Sequence, residues 1–312
     1  MKNFVLRMER FGLALLGALA LVHMLSFHPV GAEAAKTFVK PQDAVNAVIA
    51  ACQSNDTAAL LAIFGPDGKD LVSSGDPAQD KENQAQFVKS AKEKTKFVPD
   101  TMNKDRIIVA IGKNDWPFPI PLVRKDGQWM FDTDEGQQEI LARRVGSNEM
   151  NAIEICRAYV EAQFEYAQTH RHNGVPEYAQ KIVSTPGQQD GLYWESKPGG
   201  PECDVPKGFA QAAMSISPDQ REPYRGYYFR ILTAQGPDAH GGAVNYIVDG
   251  HMIGGFALVA WPAEYGVSGV QTFMVNHDGT VYESHLGDET GRTAAEMTEF
   301  NPDKTWRPVQ SE

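Results

Sequence analysis

After Pro41-Gln42-Asp43 the apolar residues Val45, Val48, Ile49 and Cys52 recur at three- and four-residue steps, which predicts an amphipathic helix to about Ser54. Asn55-Asp56-Thr57 caps a second helix that stops before Gly65-Pro66-Asp67-Gly68, making a helical hairpin. A third helix is expected from about Asp80 to Lys94. Beyond it the period shortens. Arg106 to Ile111 reads as a strand, and Ile120 to Arg124 with Gln128 to Phe131 read as hairpin arms around Asp126-Gly127. Helices before a small antiparallel sheet give an α+β pattern that resembles the cone-shaped barrels of the nuclear-transport-factor-like superfold.

The second half repeats the scheme at larger scale. A helix follows Asp134-Glu135-Gly136, Gly146-Ser147-Asn148 is expected to break it, and a longer helix runs from Glu149 to about Gln168. Its stripe of Ile153, Cys156, Val160, Phe164 and Ala167 needs cover, which the strands downstream supply. These are Tyr227 to Thr233, Gly255 to Trp261, Val270 to Asn276 and Thr280 to Ser284, the last two joined through Asp278-Gly279. The expectation is one helix laid across an antiparallel sheet. The domain reading is therefore a leader at 1–34, an α+β domain at 35–146 and a second α+β domain at 147–312.

The leader reading comes from Lys2, Arg7 and Arg10 ahead of an apolar stretch from Phe11 to Leu25 and the small-x-small site Ala32-Glu33-Ala34. That is the layout of a secretory signal peptide. It predicts an exported, soluble mature chain, periplasmic or extracellular, with no transmembrane segment. Without residues 1–34 the chain carries 26 Lys plus Arg against 38 Asp plus Glu, a formal charge of −12. Such a surface repels phosphate backbones, so no nucleic-acid partner is expected.

Three cysteines are too few for a disulfide scaffold. Cys52 and Cys156 sit on apolar helix faces, and Cys203 lies in the loop GGPECD; if a bridge forms, Cys156 to Cys203 is the least strained pairing. Chemistry is harder to read. His170 and His172 lie two apart, and His240, His251, His277 and His285 fall in the last third, but His170-Arg171-His172-Asn173-Gly174 reads equally well as a polar loop after a helix. No metal site and no cofactor are expected from spacing alone. Asp132-Thr133-Asp134-Glu135-Gly136 departs from a calcium loop, with glycine fifth rather than sixth, and reads as a strand exit and helix cap. Gly266-Val267-Ser268-Gly269 lacks a nucleophile elbow, and the glycine-rich stretches lead into strands rather than phosphate-binding helices. Glu264, between Trp261 and Tyr265, is the most suggestive single acid.

Trp116-Pro117-Phe118-Pro119-Ile120-Pro121 removes the amide donors along one side, so this segment should be a sheet edge. Trp116, Phe118 and Trp194 are the candidate contact residues for an unknown envelope or exported partner. The function expected from these features is a non-catalytic interaction or accessory module of the cell envelope. The alternative is an envelope hydrolase or carbohydrate-binding enzyme centred on Trp261 to Ser268.

Two resemblances follow from longer blocks. NAIEICRAYVEAQFEYAQ, GVPEYAQ, GLYW, GYYFRI and TFMVNHDGTVY, over about residues 148–286, resemble the globular part of type II secretion pseudopilins, which implies a pilin-like second domain. GPDGKDLVSSGDP, WPFPIPLV, GLYW, GYYFRILTAQGP and GGFALVAWPAEYGVSG resemble an exported bacterial family known only as domain of unknown function 2950. That likeness implies an extracytoplasmic bacterial protein and carries no activity.

Overall fold

Helix boundaries in the first half follow local chemistry closely. The computed structural model describes residues 34–72, 77–194, 210 and 223–310. Two compact units divide between Thr133 and Asp134. The architecture is α+β. Among the described residues no helix is long and apolar enough to cross a membrane. The predicted leader, apart from Ala34, lies outside the described residues.

In the first unit α1 (Pro41–Ser54) ends where Asn55 turns left-handed, and Asp56 caps α2 (Thr57–Phe64) by accepting the Ala59 N–H at 2.9 Å. A short α3 (Lys69–Val72) and the longer α4 (Pro77–Glu93) follow. The sheet comprises β1 (Thr95–Pro99), β2 (Arg106–Ile111), β3 (Trp116–Pro117), β4 (Leu122–Lys125) and β5 (Gln128–Phe131). Its order is β1-β2-β4-β5, with β3 also on β2, and all pairings are antiparallel. Phe38 bridges to Trp129 beyond β5, so the sheet stays open and the expected cone barrel does not close. Val45, Val48, Ile63, Leu122 and Phe131 are buried together between helices and sheet. Pro99 and Lys96 make β1 look unlike a strand in the sequence; as an outer strand, exposed at three of five positions, it tolerates both.

The second unit begins one residue into α5 (Thr133–Thr169), one continuous helix of 37 residues. The break expected at Gly146-Ser147-Asn148 is absent. Glycine and serine weaken a helix by about 1 kcal/mol or less each, and the buried face of Ala152, Ile155, Cys156, Tyr159 and Val160 outweighs that. The buried stripe is rotated from the expected one. Tyr159 and Gln163 lie inside, whereas Phe164 is 45% exposed, its ring edge-on to Tyr178 and Phe256.

After α5 come β6 (Arg171–His172), β7 (Val175–Pro176), β8 (Tyr227–Leu232), β9 (Ala234–Gln235), β10 (Val244–Asn245), β11 (Ile247–Val248), β12 (His251–Met252), β13 (Ala257–Pro262), β14 (Thr272–Asn276) and β15 (Val281–Ser284). The chain then forms α6 (Thr290–Glu296), β16 (Glu299–Phe300) and β17 (Arg307–Pro308). The main sheet is β17-β15-β14-β13-β8, antiparallel throughout. Every residue of β13 and β14 is buried, as expected of central strands covered on both faces. Tyr159 donates from its hydroxyl to the Ala257 carbonyl at 3.2 Å, fixing α5 against β13. Two further hairpins stand apart from this sheet, β6–β7 and β11–β12, and they carry the chemistry.

Candidate metal centre

Each of these hairpins is closed by a two-residue turn with both residues at positive φ. Asn173 (49°) and Gly174 (83°) join β6 to β7, and Asp249 (51°) and Gly250 (84°) join β11 to β12. Asn-Gly and Asp-Gly suit this turn because asparagine, aspartate and glycine tolerate left-handed backbone. His172 stands directly before the first turn and His251 directly after the second. The Tyr178 N–H donates to the Met252 carbonyl at 2.8 Å, and the Gln180 amide donates to the Gly250 carbonyl at 2.8 Å. The Glu177 N–H donates to the His170 carbonyl at 3.0 Å, which anchors the carboxylate's backbone to the end of α5.

The result is a convergence of His172, Glu177 and His251, each half-buried, with one ligand atom from each within 4.8 Å of the others. His251 Nδ1 lies 2.8 Å from Glu177 Oε1. An ionised carboxylate only accepts, so Nδ1 carries the proton of a neutral ring and the Nε2 lone pair is free. Asn173 Nδ2 lies 3.0 Å from His172 Nε2; an amide N–H donates, so this nitrogen too is unprotonated in the neutral ring. Two imidazole nitrogens and a carboxylate are ordinary zinc-type donors. The rings stack with centroids 3.6 Å apart and planes inclined at 21°, so their lone pairs run nearly side by side. A shared ion therefore requires one ring to turn. Tetrahedral donors with bonds near 2.0–2.1 Å are roughly 3.3 Å apart, a closure of about 1.5 Å that half-buried side chains can make.

Of the histidines singled out in sequence, His172 joins this cluster and His170 does not. The His170 ring stacks on Tyr166 at 3.7 Å, and its Nδ1 lies 3.0 Å from the Tyr166 carbonyl and from Thr169 Oγ1. In the sequence His251 stands out only as one of four histidines in the last third and Glu177 not at all, whereas the hairpin signals Asn173-Gly174 and Asp249-Gly250 lie beside both.

Glu264 is exposed, and its backbone does the visible work. Its N–H donates to Ser268 Oγ at 3.0 Å, and its carbonyl accepts the Ser268 N–H at 2.8 Å, closing the turn. The carboxylate whose surroundings matter in this region is Glu149, directly after the stretch of α5 expected to be a break. Glu149 Oε1 accepts the N–H groups of Val270 at 2.9 Å and Gln271 at 3.0 Å, and the Asn148 amide donates to the Ser268 carbonyl at 2.9 Å. Burial raises the Glu149 pKa above its ordinary value of 4.5; the two N–H donors oppose this, Glu283 adds repulsion and His285 opposes. The folded chain thus binds this proton more tightly than the unfolded one. Its contribution is fully present below the ordinary value and is lost as pH rises through the raised one. Glu149→Gln keeps an acceptor oxygen and removes the charge. Urea midpoints measured from about pH 4 to pH 7 should fall for the natural chain relative to the variant as pH rises; parallel curves would contradict this.

The remaining candidates are more dispersed. Trp116 is 48% exposed at β3, whereas Phe118 is partly buried, its ring 5.2 Å from Phe87 and 6.1 Å from Phe131. The edge expected from Trp116 to Pro121 shortens to Trp116–Pro117 because Ile120 is buried in the first unit's core. Trp194 is half-buried beside the buried Leu192 and Tyr193. Cys156 is buried and free, its thiol pushed up to about 12 by desolvation, and Cys52 is held at about 11 in the same way. Cys203 lies outside the described residues.

No curated protein and no solved structure matches the chain, so the pseudopilin resemblance remains one of sequence pattern. A family model described as "Protein of unknown function (DUF2950)" matches residues 35–309, and the chain belongs to that family.

Proposed function

We propose that this is an exported, non-catalytic accessory protein whose second unit binds a divalent transition-metal ion through His172, Glu177 and His251. The observation that carries the reading is the meeting of these three donors at two turn-closed hairpins. Imidazole with one carboxylate favours zinc, nickel, cobalt or copper over calcium and magnesium, which prefer all-oxygen sites. Competition of tag-free protein against a chromophoric zinc chelator tests it. One equivalent should bind, and His251→Ala and Glu177→Gln should each weaken it by at least tenfold. Equal binding in all three proteins would refute the assignment.

Export rests on the leader at 1–34. An envelope partner is supported by the half-exposed indole of Trp116, since exposed aromatics mark contact sites. Crosslinking in envelope extracts tests that part of the reading: a specific adduct lost in Trp116→Ala supports it, and an unchanged pattern removes Trp116 from the contact.

A further inference from the structure

Donor number, charge and exposure at the centre bear on what the bound ion does, on the reading proposed above. Closed structural zinc sites use four protein ligands, whereas sites that exchange a ligand use three and leave the next position to water or substrate. Three donors converge among the described residues, and all three are half-buried rather than sealed. A divalent ion with two neutral imidazoles and one carboxylate retains one positive charge, which an anionic fourth donor neutralises.

We infer that an ion held by His172, Glu177 and His251 keeps an exchangeable coordination position that takes a small anionic donor of the carboxylate class. The centre is then a docking point for an acidic ligand or an acidic side chain rather than a staple for the fold. The ion holds water until the anion displaces it, and no covalent bond of the ligand changes.

Cobalt(II) reports this directly because its visible bands respond to every ligand it holds. Tag-free chain is loaded with one equivalent of cobalt and titrated with azide, then with acetate. The expected result is a spectrum that shifts saturably with both anions, with the bands lost in His251→Ala and in Glu177→Gln. Bands that form but ignore azide and acetate would overturn the exchangeable position while leaving the metal centre standing. Failure to bind cobalt at all would remove the centre itself. Bands that persist in both variants would assign the ion to other residues and overturn the inference.

Discussion

Zinc should raise the melting temperature of the second unit by about 5–10 °C when free zinc is a hundredfold above its dissociation constant. Ligand that binds only the folded state stabilises it by about 2.7 kcal/mol at that excess. For a unit of 150–250 residues each kcal/mol moves the midpoint by about 2–4 °C. The donors come from hairpins separated along the chain, so the unfolded state cannot assemble them and the linkage acts almost wholly on the fold. His251→Ala and Glu177→Gln should abolish the shift while leaving the metal-free midpoint little changed, because all three side chains are half-buried and none fills the core. A scan in which zinc moves neither the natural chain nor the variants would eliminate the centre.

The legible parts of the fold are those where one local rule acts alone. Proline at the start of α1, the Asp56 cap of α2 and the Asp126-Gly127 turn between β4 and β5 each occur where the sequence indicates. The strands β13 and β14 were recognisable from their apolar runs, and the pairing of β14 with β15 from the Asp278-Gly279 signal between them. What failed did so where tertiary packing overrides local preference. Gly146-Ser147-Asn148 reads as a stop, yet Asn148 and Glu149 hold the 268–271 backbone by hydrogen bonds and the helix continues through them. Pro119 and Pro121 suggested a long edge, yet burial of Ile120 and Leu122 ends β3 after Pro117.

The candidate site was half legible. His172 stood out by its neighbour His170, which has a different role, while its actual companions lie five and 79 residues further along the chain. Spacing cannot bring Glu177 and His251 together. The turn chemistry could have aligned them, because Asn173-Gly174 and Asp249-Gly250 are the same two-residue hairpin signal, each with a histidine flanking it. That signal fixes the hairpins but not their apposition, which depends on the Tyr178 to Met252 hydrogen bond.

The apposition leads back to Gln163, a residue no sequence pattern would select. It is fully buried on α5, where an apolar side chain would be expected. Its Oε1 accepts the Ala179 N–H at 2.8 Å, and its Nε2 donates to the Ala179 carbonyl at 2.8 Å and to Tyr159 Oη at 2.9 Å. The side-chain amide thus stands in for a neighbouring strand, satisfying both backbone groups of the segment that follows Glu177. Gln163→Leu conserves size and removes all three bonds, stranding a buried N–H and a buried carbonyl. Each orphaned group costs about 1–3 kcal/mol, so a loss of about 3–5 kcal/mol is expected from urea unfolding. Tyr159→Phe removes one hydroxyl and leaves the Ala179 pairing intact, so it should cost only about 1 kcal/mol. A Gln163→Leu midpoint equal to that of the natural chain would mean that Ala179 finds other partners. If the loss appears as expected, zinc affinity should fall with it in Gln163→Leu and not in Tyr159→Phe, because only the former releases the backbone that carries Glu177.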